Sequence, residues 1–490
     1  MRRRTLYSIV YYDLIKKQIN TGSALPFGKE NRSMTHIETK IQHYITPGRR
    51  VHLAGIGGVS MNPLAEVLHG MGLAVQGSDQ NSSPAVERLQ RMGVAIHTGH
   101  AAENIDGAEF VIRTAAIHDD NPEIAAAHER GIPVFERAEA WGAIMQQYEN
   151  AVCIAGTHGK TTTTSMTTHI FMAAGADPTV MIGGTLPMLH SGYRVGKGET
   201  IILESCEYCN SFLHFFPTVA VVLNVEEDHL DFFKDLDDIK KSFRQFAQLV
   251  PEDGCIVANA DNEGAMDALA GLPLFTFGCE NRANCQAQNL TWERGRPSFD
   301  VVIDGQLYTH LRLRVAGEHN VYNALAAAAA AYVLDIPAQA VRQGLEGFFG
   351  AGRRFERLGR CQGADVYDDY AHHPAELHAL LKMAKTLGYK RVICAFQPHT
   401  YTRTKALFDD FVKELQLADV AVLTDIYAAR EQNTVGISSR DLAEQIPGSV
   451  YCPTLEEAAA ALRRLAGPGD LILTVGAGDI FTIGKMLTKS

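Results

Sequence analysis

A short glycine loop, set between an apolar segment and a threonine-rich one, constrains the fold of this chain more than any other feature. Residues 151–155 (AVCIA) predict a buried strand, and residues 160–164 (KTTTT) predict the start of a helix. Between them lie residues 156–159 (GTHG). Glycines at such a turn let backbone N–H groups approach phosphate oxygens, and a helix N-terminus favours the negative charge. The order of these segments therefore predicts an α/β sheet with a nucleotide phosphate site at a strand end.

The residues that follow the loop indicate ATP. Lys160 can reach the β- and γ-phosphates, and the hydroxyl of Thr161 can bind Mg²⁺. The common P-loop has a further glycine where this chain has Ile154, so the loop is a shortened GxxGKT. A Gly/Thr turn that only caps a helix is the alternative, but the apolar strand before the loop favours phosphate binding. The predicted ATP-binding loop comprises Gly156, Thr157, His158, Gly159, Lys160, Thr161 and Thr162.

Length and composition favour a globular protein of about three domains. The chain has 490 residues, of which 46% are hydrophobic and 21% charged. Its net charge of −11 argues against nonspecific binding to nucleic acid or to anionic membranes. No apolar run approaches the roughly 20 residues that a transmembrane helix needs. We therefore expect no nucleic-acid partner, no membrane partner, and a monomer or homodimer.

The cysteines give no sign of a disulfide framework. Nine are scattered along the chain, and an odd number does not pair completely. Cys206 and Cys209 form one CxxC pair, but no second pair at similar spacing completes a structural zinc site. The pattern fits a reducing compartment, so we expect a cytoplasmic location.

Residues 1–47 are predicted to be an N-terminal extension. The chain begins with three arginines after Met1, and the short apolar stretch 6–12 lacks a clear signal-peptide cleavage site. We expect Met34 to be the natural start and residues 1–33 to have no role in the fold.

The first domain is predicted over residues 48–150. A strand at 50–54 leads into the glycine turn 55–60 (GIGGVS), a helix follows, and a second strand ends at Ser78 and Asp79. This is a β-α-β unit with an acidic residue after its second strand. Ser60 replaces the third glycine of GxGxxG, so the turn predicts a nucleotide or diphosphate ligand, with a plain tight turn as the alternative.

Near-continuous apolar runs predict buried parallel strands in two further domains, 151–350 and 351–490. Residues 285–315 alternate in polarity and indicate an added antiparallel patch. The predicted fold class is thus α/β with three domains: an N-terminal Rossmann-like domain, a central P-loop-type ATP-binding domain with a parallel sheet, and a C-terminal Rossmann-like domain.

Polar residues near the predicted strand ends of the central domain, and at the start of its alanine-rich helix, suit binding of a metal ion and of a nucleobase. Glu204 can complete a Mg²⁺ shell with Thr161, since Mg²⁺ favours one or two carboxylates plus phosphate oxygens. His229 can ligate a second metal or polarise a phosphoryl oxygen. Asn320 and Asn323 share one helical face and can read a nucleobase edge. A solvated glutamate, a capping histidine and an Asn320 helix cap are the ordinary alternatives.

The third domain adds further polar groups near strand ends. Arg354, Asp369, His372 and Arg403 lie in segments that begin or follow predicted strands. Arginines and histidines in such places suit carboxylate or phosphate binding, with surface charge as the alternative for any one of them.

Eight ordered motifs together resemble the Mur ligases of peptidoglycan synthesis. The resemblance covers roughly residues 48 to 490. The motifs are GIGGVSM at 55–61, GTHGKTTTT at 156–164, ESCEY at 204–208, EEDHLD at 226–231, EHNVYNA at 318–324, GRRFE at 352–356, DDYAHHP at 368–374 and QPHTYTRTK at 397–405.

The resemblance implies an ATP-dependent amide ligase that joins L-alanine to UDP-N-acetylmuramate through an acyl phosphate, with Mg²⁺ as cofactor. It implies that Thr161, Glu204 and His229 are metal ligands and that Lys160, Glu204, His229, His372 and Arg403 are catalytic. It further implies nucleotide contacts from Asn320, Asn323, Arg354 and Asp369. The implied UDP-sugar site comprises Gly55, Gly57, Gly58, Val59, Ser60, Met61, Ser78 and Asp79.

Some positions depart from the pattern of the family. Many relatives have EADES where this chain has ESCEY, and some have arginine at the position of Thr400. Neither Lys240 nor Lys241 aligns clearly with the carbamylated lysine of other Mur ligases. The alternatives that remain open are a sister ligase that adds a peptide to UDP-muramate in wall recycling, an NAD-dependent dehydrogenase that uses the 55–60 turn, and a non-catalytic nucleotide-binding protein.

Overall fold

The computed structural model describes residues 40–58, 60–114, 116–229, 232–429 and 431–488. The predicted start at Met34 and most of the predicted 1–47 extension therefore lie outside the described residues, as does Val59. The first element is a 3₁₀ turn over Lys40–His43. Ile41 and Ile45 are buried against the core of the first sheet, so this short segment packs with the domain that follows it.

The first domain is built on a five-stranded parallel sheet in the order β3-β2-β1-β4-β5. Its strands are β1 Arg50–Ala54, β2 Ala74–Asp79, β3 Ala95–Thr98, β4 Phe110–Arg113 and β5 Val134–Glu136. Its helices are α1 Met61–Gly70, α2 Pro84–Arg91, α3 Pro122–Glu129 and α4 Arg137–Met145. Because β1 and β2 are parallel neighbours, the glycine turn after β1 and Asp79 at the end of β2 meet at one edge.

The central domain contains a ten-stranded sheet in the order β15-β14-β13-β12-β11-β10-β6-β9-β7-β8. Its first strands are β6 Asn150–Ala155, β7 Thr179–Leu186, β8 Ser191–Arg194, β9 Thr200–Glu204 and β10 Val219–Val222. The others are β11 Cys255–Asn259, β12 Phe275–Gly278, β13 Cys285–Glu293, β14 Arg296–Ile303 and β15 Gln306–Arg312. Strands β13 to β15 are antiparallel, as the alternating polarity of residues 285–315 predicts.

Two unusual helices pack on this sheet. The helices of the central domain are α5 Lys160–Ala173, α6 Leu236–Ala247, α7 Glu263–Ala268, α8 His319–Tyr332 and α9 Ala338–Glu346. In α5, buried hydroxyls donate to carbonyls one turn earlier, including Ser165 to Thr161 and Thr167 to Thr163, so a threonine-rich helix is buried without unpaired hydroxyls at these positions. The alanines of α8 are fully buried.

The third domain has a six-stranded sheet in the order β16-β17-β21-β18-β19-β20, and only the β16–β17 pair is antiparallel. The strands are β16 Glu356–Cys361, β17 Ala364–Asp369, β18 Val392–Phe396, β19 Val420–Leu423, β20 Val450–Tyr451 and β21 Leu471–Val475. The helices are α10 Pro374–Thr386, α11 Tyr401–Ala406, α12 Phe408–Leu415, α13 Ser439–Gln445, α14 Leu455–Leu465 and α15 Phe481–Thr488. The predicted α/β class with three largely parallel sheets is confirmed.

A buried polar cluster stabilises the first domain. Glu123 is fully buried and accepts hydrogen bonds from Ser78 Oγ at 2.7 Å and Asn104 Nδ2 at 2.7 Å. His100 Nδ1 lies 3.0 Å and His52 Nε2 3.3 Å from the same carboxylate. Burial by itself raises the pKa of Glu123, but the contact with His52 and the hydrogen bonds outweigh it and lower the pKa to about 2.

Within the described ranges, no helix combines the length and the apolar character needed to cross a membrane.

The Glu123 cluster predicts acid sensitivity of the first domain. Since the pKa of Glu123 is lower in the folded state, its contribution is fully present above pH 4.5 and is lost as the pH falls toward 2. A depression of this size corresponds to about 3 kcal/mol. We expect the unfolding temperature of Glu123→Gln to lie below that of the parent at pH 6 and the gap to narrow at pH 3, measured by calorimetry. The exposed Glu103→Gln is the control, and a gap that does not depend on pH would contradict the prediction.

Candidate active site

The phosphate loop joins β6 to α5 in a conformation that only glycine accommodates at two points. Gly156 has φ 149° and Gly159 has φ 85°. A Cβ at Gly159 would lie 2.7 Å from Asn323 Oδ1, too close for any other residue. The loop backbone is also fixed from the side, because the His158 N–H donates to Asn224 Oδ1 at 2.7 Å and Asn224 Nδ2 donates to the His158 carbonyl at 3.1 Å.

Three loops meet at this edge because their strands are neighbours. Strands β10, β6 and β9 are adjacent and parallel, so the segments after Val222, Ala155 and Glu204 leave the sheet side by side. The predicted residues Lys160, Thr161, Glu204 and His229 all lie on or near these segments.

The Lys160 ammonium is held by a residue that sequence reasoning missed. Lys160 Nζ donates to the two carboxylate oxygens of Glu207 at 2.8 and 3.0 Å and to the carbonyls of Gly156 at 2.5 Å and Thr157 at 3.2 Å. Glu207 is 2% exposed. Burial by itself lowers the pKa of Lys160, but the Glu207 carboxylate outweighs it and raises the pKa above its ordinary value. Lys160 is therefore a cation at neutral pH.

Thr161 and Glu204 are brought together as the sequence predicted. Thr161 Oγ1 donates to Glu204 Oε1 at 3.0 Å, and the Gly183 N–H donates to Glu204 Oε2 at 2.6 Å. Within the described residues, no group of three or more His, Cys, Asp or Glu side chains forms a metal cage. One hydroxyl and one carboxylate beside a phosphate loop fit Mg²⁺, which takes its other ligands from phosphate oxygens and water.

The described side-chain contacts of His229 are with Glu207, Asp228 and Tyr208. Its Nε2 lies 3.8 Å from Glu207 Oε1 and 3.8 Å from Asp228 Oδ2, and its ring is 4.7 Å from the ring of Tyr208. His229 has φ 54°, a left-handed conformation that is uncommon for a residue other than glycine. Glu207 thus stands between the lysine and the histidine, in reach of both.

A cleft of 1380 Å³ opens beside the phosphate loop, between the central and third domains. The predicted nucleotide residues that line it are His158, Gly159, Thr162, Asn320, Asn323, Arg354 and Asp369. Its volume and mixed polar and apolar lining suit a nucleotide.

Asn320 and Asn323 form one buried chain of amides at the start of α8. Asn323 Nδ2 donates to Asn320 Oδ1 at 3.1 Å, and Asn320 Nδ2 donates to the Ala316 carbonyl at 2.7 Å. Thr163 Oγ1 donates to Asn323 Oδ1 at 3.1 Å. These bonds fix the two amides relative to α5, and neither side chain caps α8.

On the side of the third domain, Asp369 ends β17 and is almost fully buried. It accepts from the N–H groups of Phe355 at 2.7 Å and Ala371 at 2.8 Å. Burial raises the pKa of Asp369 to about 6, and the Arg354 guanidinium opposes that rise. Arg354 lies over the ring of Tyr370 at 5.3 Å.

The histidines of the third domain are arranged around Arg403. Its Nη1 lies 3.5 Å from His399 Nδ1, and its Nη2 lies 3.5 Å from Asp228 Oδ1 of the central domain. Burial lowers the pKa of His372 and lowers the pKa of His399 to about 4, so both rings are neutral at pH 7. Thr400, between His399 and Arg403, has φ 64°, which is strained for a β-branched residue and typical of functional loops.

The glycine turn of the first domain is closed by Asp79. The Gly57 N–H donates to Asp79 Oδ2 at 2.9 Å, and a Cβ at Gly57 would lie 2.9 Å from the same oxygen. Ser60 accepts a short hydrogen bond from Arg137, a residue that sequence reasoning missed. Ser78 is fully buried and donates to Glu123, so its hydroxyl faces the interior in this state. Gly55 and Gly58 also belong to this turn, and Met61 is the first residue of α1.

The missed residues had weak signals in the sequence. Glu207 lies inside the ESCEY motif, three residues after Glu204, but nothing in the motif indicates its pairing with Lys160. Glu376 follows the DDYAHHP motif and contacts His158 across the cleft. Arg137 begins a helix far from the glycine turn in sequence.

Comparison with known families agrees with this architecture. Three descriptions match in order: "Mur ligase family, catalytic domain" over residues 50–149, "Mur ligase middle domain" over 154–331 and "Mur ligase, glutamate ligase domain" over 353–478. The chain belongs to the Mur ligase family.

Individual relatives show which Mur ligases this chain resembles. The chain is 46% identical over 444 residues to UDP-N-acetylmuramate–L-alanine ligase of Caldanaerobacter subterraneus subsp. tengcongensis, covering 89% of this chain and 96% of that one. It resembles the crystal structure of UDP-N-acetylmuramate–alanine ligase from Thermotoga maritima, with a TM-score of 0.76, 28% identity, and coverage of 89% and 98%. A UDP-N-acetylmuramate:L-alanyl-γ-D-glutamyl-meso-diaminopimelate ligase from Neisseria meningitides matches with a TM-score of 0.57 and 28% identity, over 62% of this chain and 100% of that one.

The Lys160–Glu207 pair predicts a strong energetic coupling. Breaking a buried ion pair by removing one partner costs about 3–5 kcal/mol, because the other charge stays buried. We expect Lys160→Met and Glu207→Gln each to lower the unfolding temperature in the absence of ligand, and the double variant to lose less than the two losses added together. Calorimetry on the four proteins measures this coupling.

The Lys240–Asp267 pair is the matched control. It has a similar distance of 2.8 Å, but Asp267 is largely exposed. The same four-protein cycle there is expected to show a much smaller coupling. Equal couplings for the two pairs would contradict the prediction.

Proposed function

We propose that this protein is an ATP-dependent ligase that joins L-alanine to the carboxyl group of UDP-N-acetylmuramate in peptidoglycan precursor synthesis. The observation that carries the proposal is the 46% identity to a ligase of that name over 89% of this chain. The phosphate loop, which follows β6 and carries the largely buried Lys160, supports the proposal independently.

The reaction requires two transfers at one place. The muramoyl carboxylate attacks the γ-phosphorus of ATP, and ADP leaves; the alanine amine then attacks the acyl carbon, and phosphate leaves. Lys160 would stabilise the charge that develops on the transferring phosphoryl group, since its ammonium is fixed by Glu207 and by loop carbonyls. Asn320 and Asn323 would contact the adenine, with Arg354 and Asp369 near the ribose.

Mg²⁺ is the proposed cofactor, held by Thr161 and Glu204, with His229 as a ligand of a second ion. When bound, Mg²⁺ would neutralise charge on the phosphates. The hydrogen bond from Gly183 to Glu204 orients the carboxylate before any ion is present.

The alanine site is proposed around Arg403 and His372. Arg403 would pair with the amino-acid carboxylate. The amine must lose protons to attack, and His372 is neutral and in reach of the same pocket, so it can accept one. His372 Nδ1 is 3.0 Å from the Tyr370 carbonyl, which favours a proton on Nδ1 and leaves Nε2 to accept.

The acceptor is proposed to bind the first domain through the residues that the sequence predicts for the UDP-sugar site: Gly55, Gly57, Gly58, Val59, Ser60, Met61, Ser78 and Asp79. Asp79 already holds the Gly57 N–H, which keeps the turn in one conformation. We further propose a cytoplasmic monomer or homodimer with the domain limits given by the sequence.

A second candidate is a ligase that adds a peptide to UDP-N-acetylmuramate. The structural likeness to the Neisseria meningitides ligase favours it as an alternative. An assay of phosphate release decides between them, with UDP-N-acetylmuramate as acceptor and either L-alanine or the L-alanyl-γ-D-glutamyl-meso-diaminopimelate tripeptide as the amine. Release with the tripeptide but not with alanine would overturn the proposal.

Replacement of Lys160 tests the catalytic step. We expect Lys160→Ala to lower kcat for alanine-dependent phosphate release by about a hundredfold or more, because no other cation of the loop can replace the ammonium. Lys240→Ala, on the surface of α6, is the control and keeps the parent rate. Parent activity in Lys160→Ala would show that the loop does not act in phosphoryl transfer.

A further inference from the structure

Glu376, in the first turn of α10, contacts two different domains with its two oxygens. Its Oε2 accepts from the backbone N–H of His372 at 2.9 Å and of His373 at 3.3 Å. Its Oε1 lies 3.3 Å from Nδ1 of His158, which belongs to the phosphate loop of the central domain. The side chain is 16% exposed and lies in the wall of the cleft.

Capping of α10 explains the contacts of only one of the two Glu376 oxygens, Oε2. Glu376 and His373 form a capping box at the start of α10, and that motif uses Oε2. The cap needs neither Oε1 nor any residue of the central domain. The contact with His158 is therefore separate from the helix start.

Among the described residues, the charged partners of the His158 ring are carboxylates. Both ring nitrogens are buried without a hydrogen bond of regular geometry, and Nε2 lies 3.6 Å from Glu226 Oε2. Burial by itself lowers the pKa of His158, but Glu376, followed by Glu226 and Asp228, outweighs it and raises the pKa. The ring is thus held between a carboxylate of its own domain and one of the third domain.

The same carboxylate also faces His372. The Nδ1 of His372 lies 3.4 Å from Glu376 Oε2. Glu376 itself lies in the first turn of α10, the helix that directly follows the 370–373 loop. The ring of His373 lies 5.6 Å from the ring of His158. Glu376 therefore joins the phosphate loop to the loop that carries His372.

We propose that Glu376 is a positioning residue that links the phosphate loop, through His158, to the His372 loop, so that a bound nucleotide sets the amino-acid pocket in place. The inference rests on the proposed function for the identity of the amine, but not for the link itself. The carboxylate acts through the two histidines that it contacts, His158 and His372.

Hydrogen exchange tests the link without reference to the amine. ATP with Mg²⁺ is expected to slow amide exchange in two segments of the parent, the phosphate loop at 156–163 and the third-domain segment at 370–377. In Glu376→Gln, which keeps an acceptor for the helix cap, protection of 156–163 is expected to remain and protection of 370–377 to be lost. Equal protection of 370–377 in the parent and the variant would overturn the proposal, and so would its absence in the parent.

Glu414→Gln is the matched control. Glu414 contacts His378 of α10 at 2.7 Å, so it is another Glu–His pair on the same helix, but it lies outside the cleft lining. We expect this variant to keep the exchange pattern and the kinetics of the parent. If Glu414→Gln also loses protection of 370–377, the effect belongs to α10 in general and the proposal fails.

Kinetics provide a second readout that a change in stability alone would not give. For Glu376→Gln we expect kcat for alanine-dependent phosphate release to fall about tenfold or more and the KM for alanine to rise, with the KM for UDP-N-acetylmuramate unchanged. His158→Asn is expected to give a similar loss, and the double variant to lose no more than the worse single variant. Losses that multiply in the double variant would overturn the link.

Failure of the link and failure of the proposed function look different. A parent that gains nucleotide protection at 156–163 but releases no phosphate with alanine would refute the proposed amine, while the exchange data would still decide the role of Glu376. A parent without any protection at 156–163 would refute both.

Discussion

The central requirement of this site is to keep a buried ammonium charged before the substrates bind. Lys160 has little water around it, and burial alone would favour its neutral form. The Glu207 carboxylate and two loop carbonyls supply the compensating charge and hydrogen bonds. Because Glu207 lies after β9, its pairing with Lys160 holds that segment next to the phosphate loop. His229 lies beside the same carboxylate. In the proposed reaction, an arriving phosphate would meet charges that are already balanced, so its negative charge would compete with Glu207 for the lysine.

In the proposed reaction, each of the three sheets would contribute residues from the edge at which its parallel strands end. In the central domain, adjacent strands lead into the segments that carry Lys160, Glu204 and His229. In the third domain, β17 and β18 flank β21, so the segments that carry His372 and Arg403 leave the sheet on either side of one strand. Contacts across the cleft, such as Arg403 with Asp228 at 3.5 Å, join the two sets. The chemistry therefore depends on the domain arrangement as much as on any single loop.

Local sequence patterns predict much of the fold and the identities of the main site residues, since strand ends and glycine turns are local features. The meeting of Thr161 with Glu204 followed from the rule for adjacent parallel strands. The pairing of Lys160 with Glu207 did not, because the path of the turn after Glu204 decides which carboxylate of the ESCEY motif reaches the lysine. The pairing of His158 with Glu376 did not either, because it joins two domains whose relative placement depends on the packing of whole domains. Ser78 illustrates the opposite limit: its position at the end of β2 predicts exposure to a ligand, whereas its hydroxyl donates to the buried Glu123 carboxylate and so faces inward.

Helix α8 shows that residues without functional groups set part of the geometry of the site. Its alanines are fully buried, and the helix packs against both α5 and the sheet. The small volume of the methyl side chains fixes how near the α8 backbone comes to α5, and thus where the amides of Asn320 and Asn323 stand above the phosphate loop. A larger side chain would push the helix outward and carry both amides with it. The spacing of the proposed nucleotide site therefore depends on a helix that consists largely of alanine, a residue with no functional group.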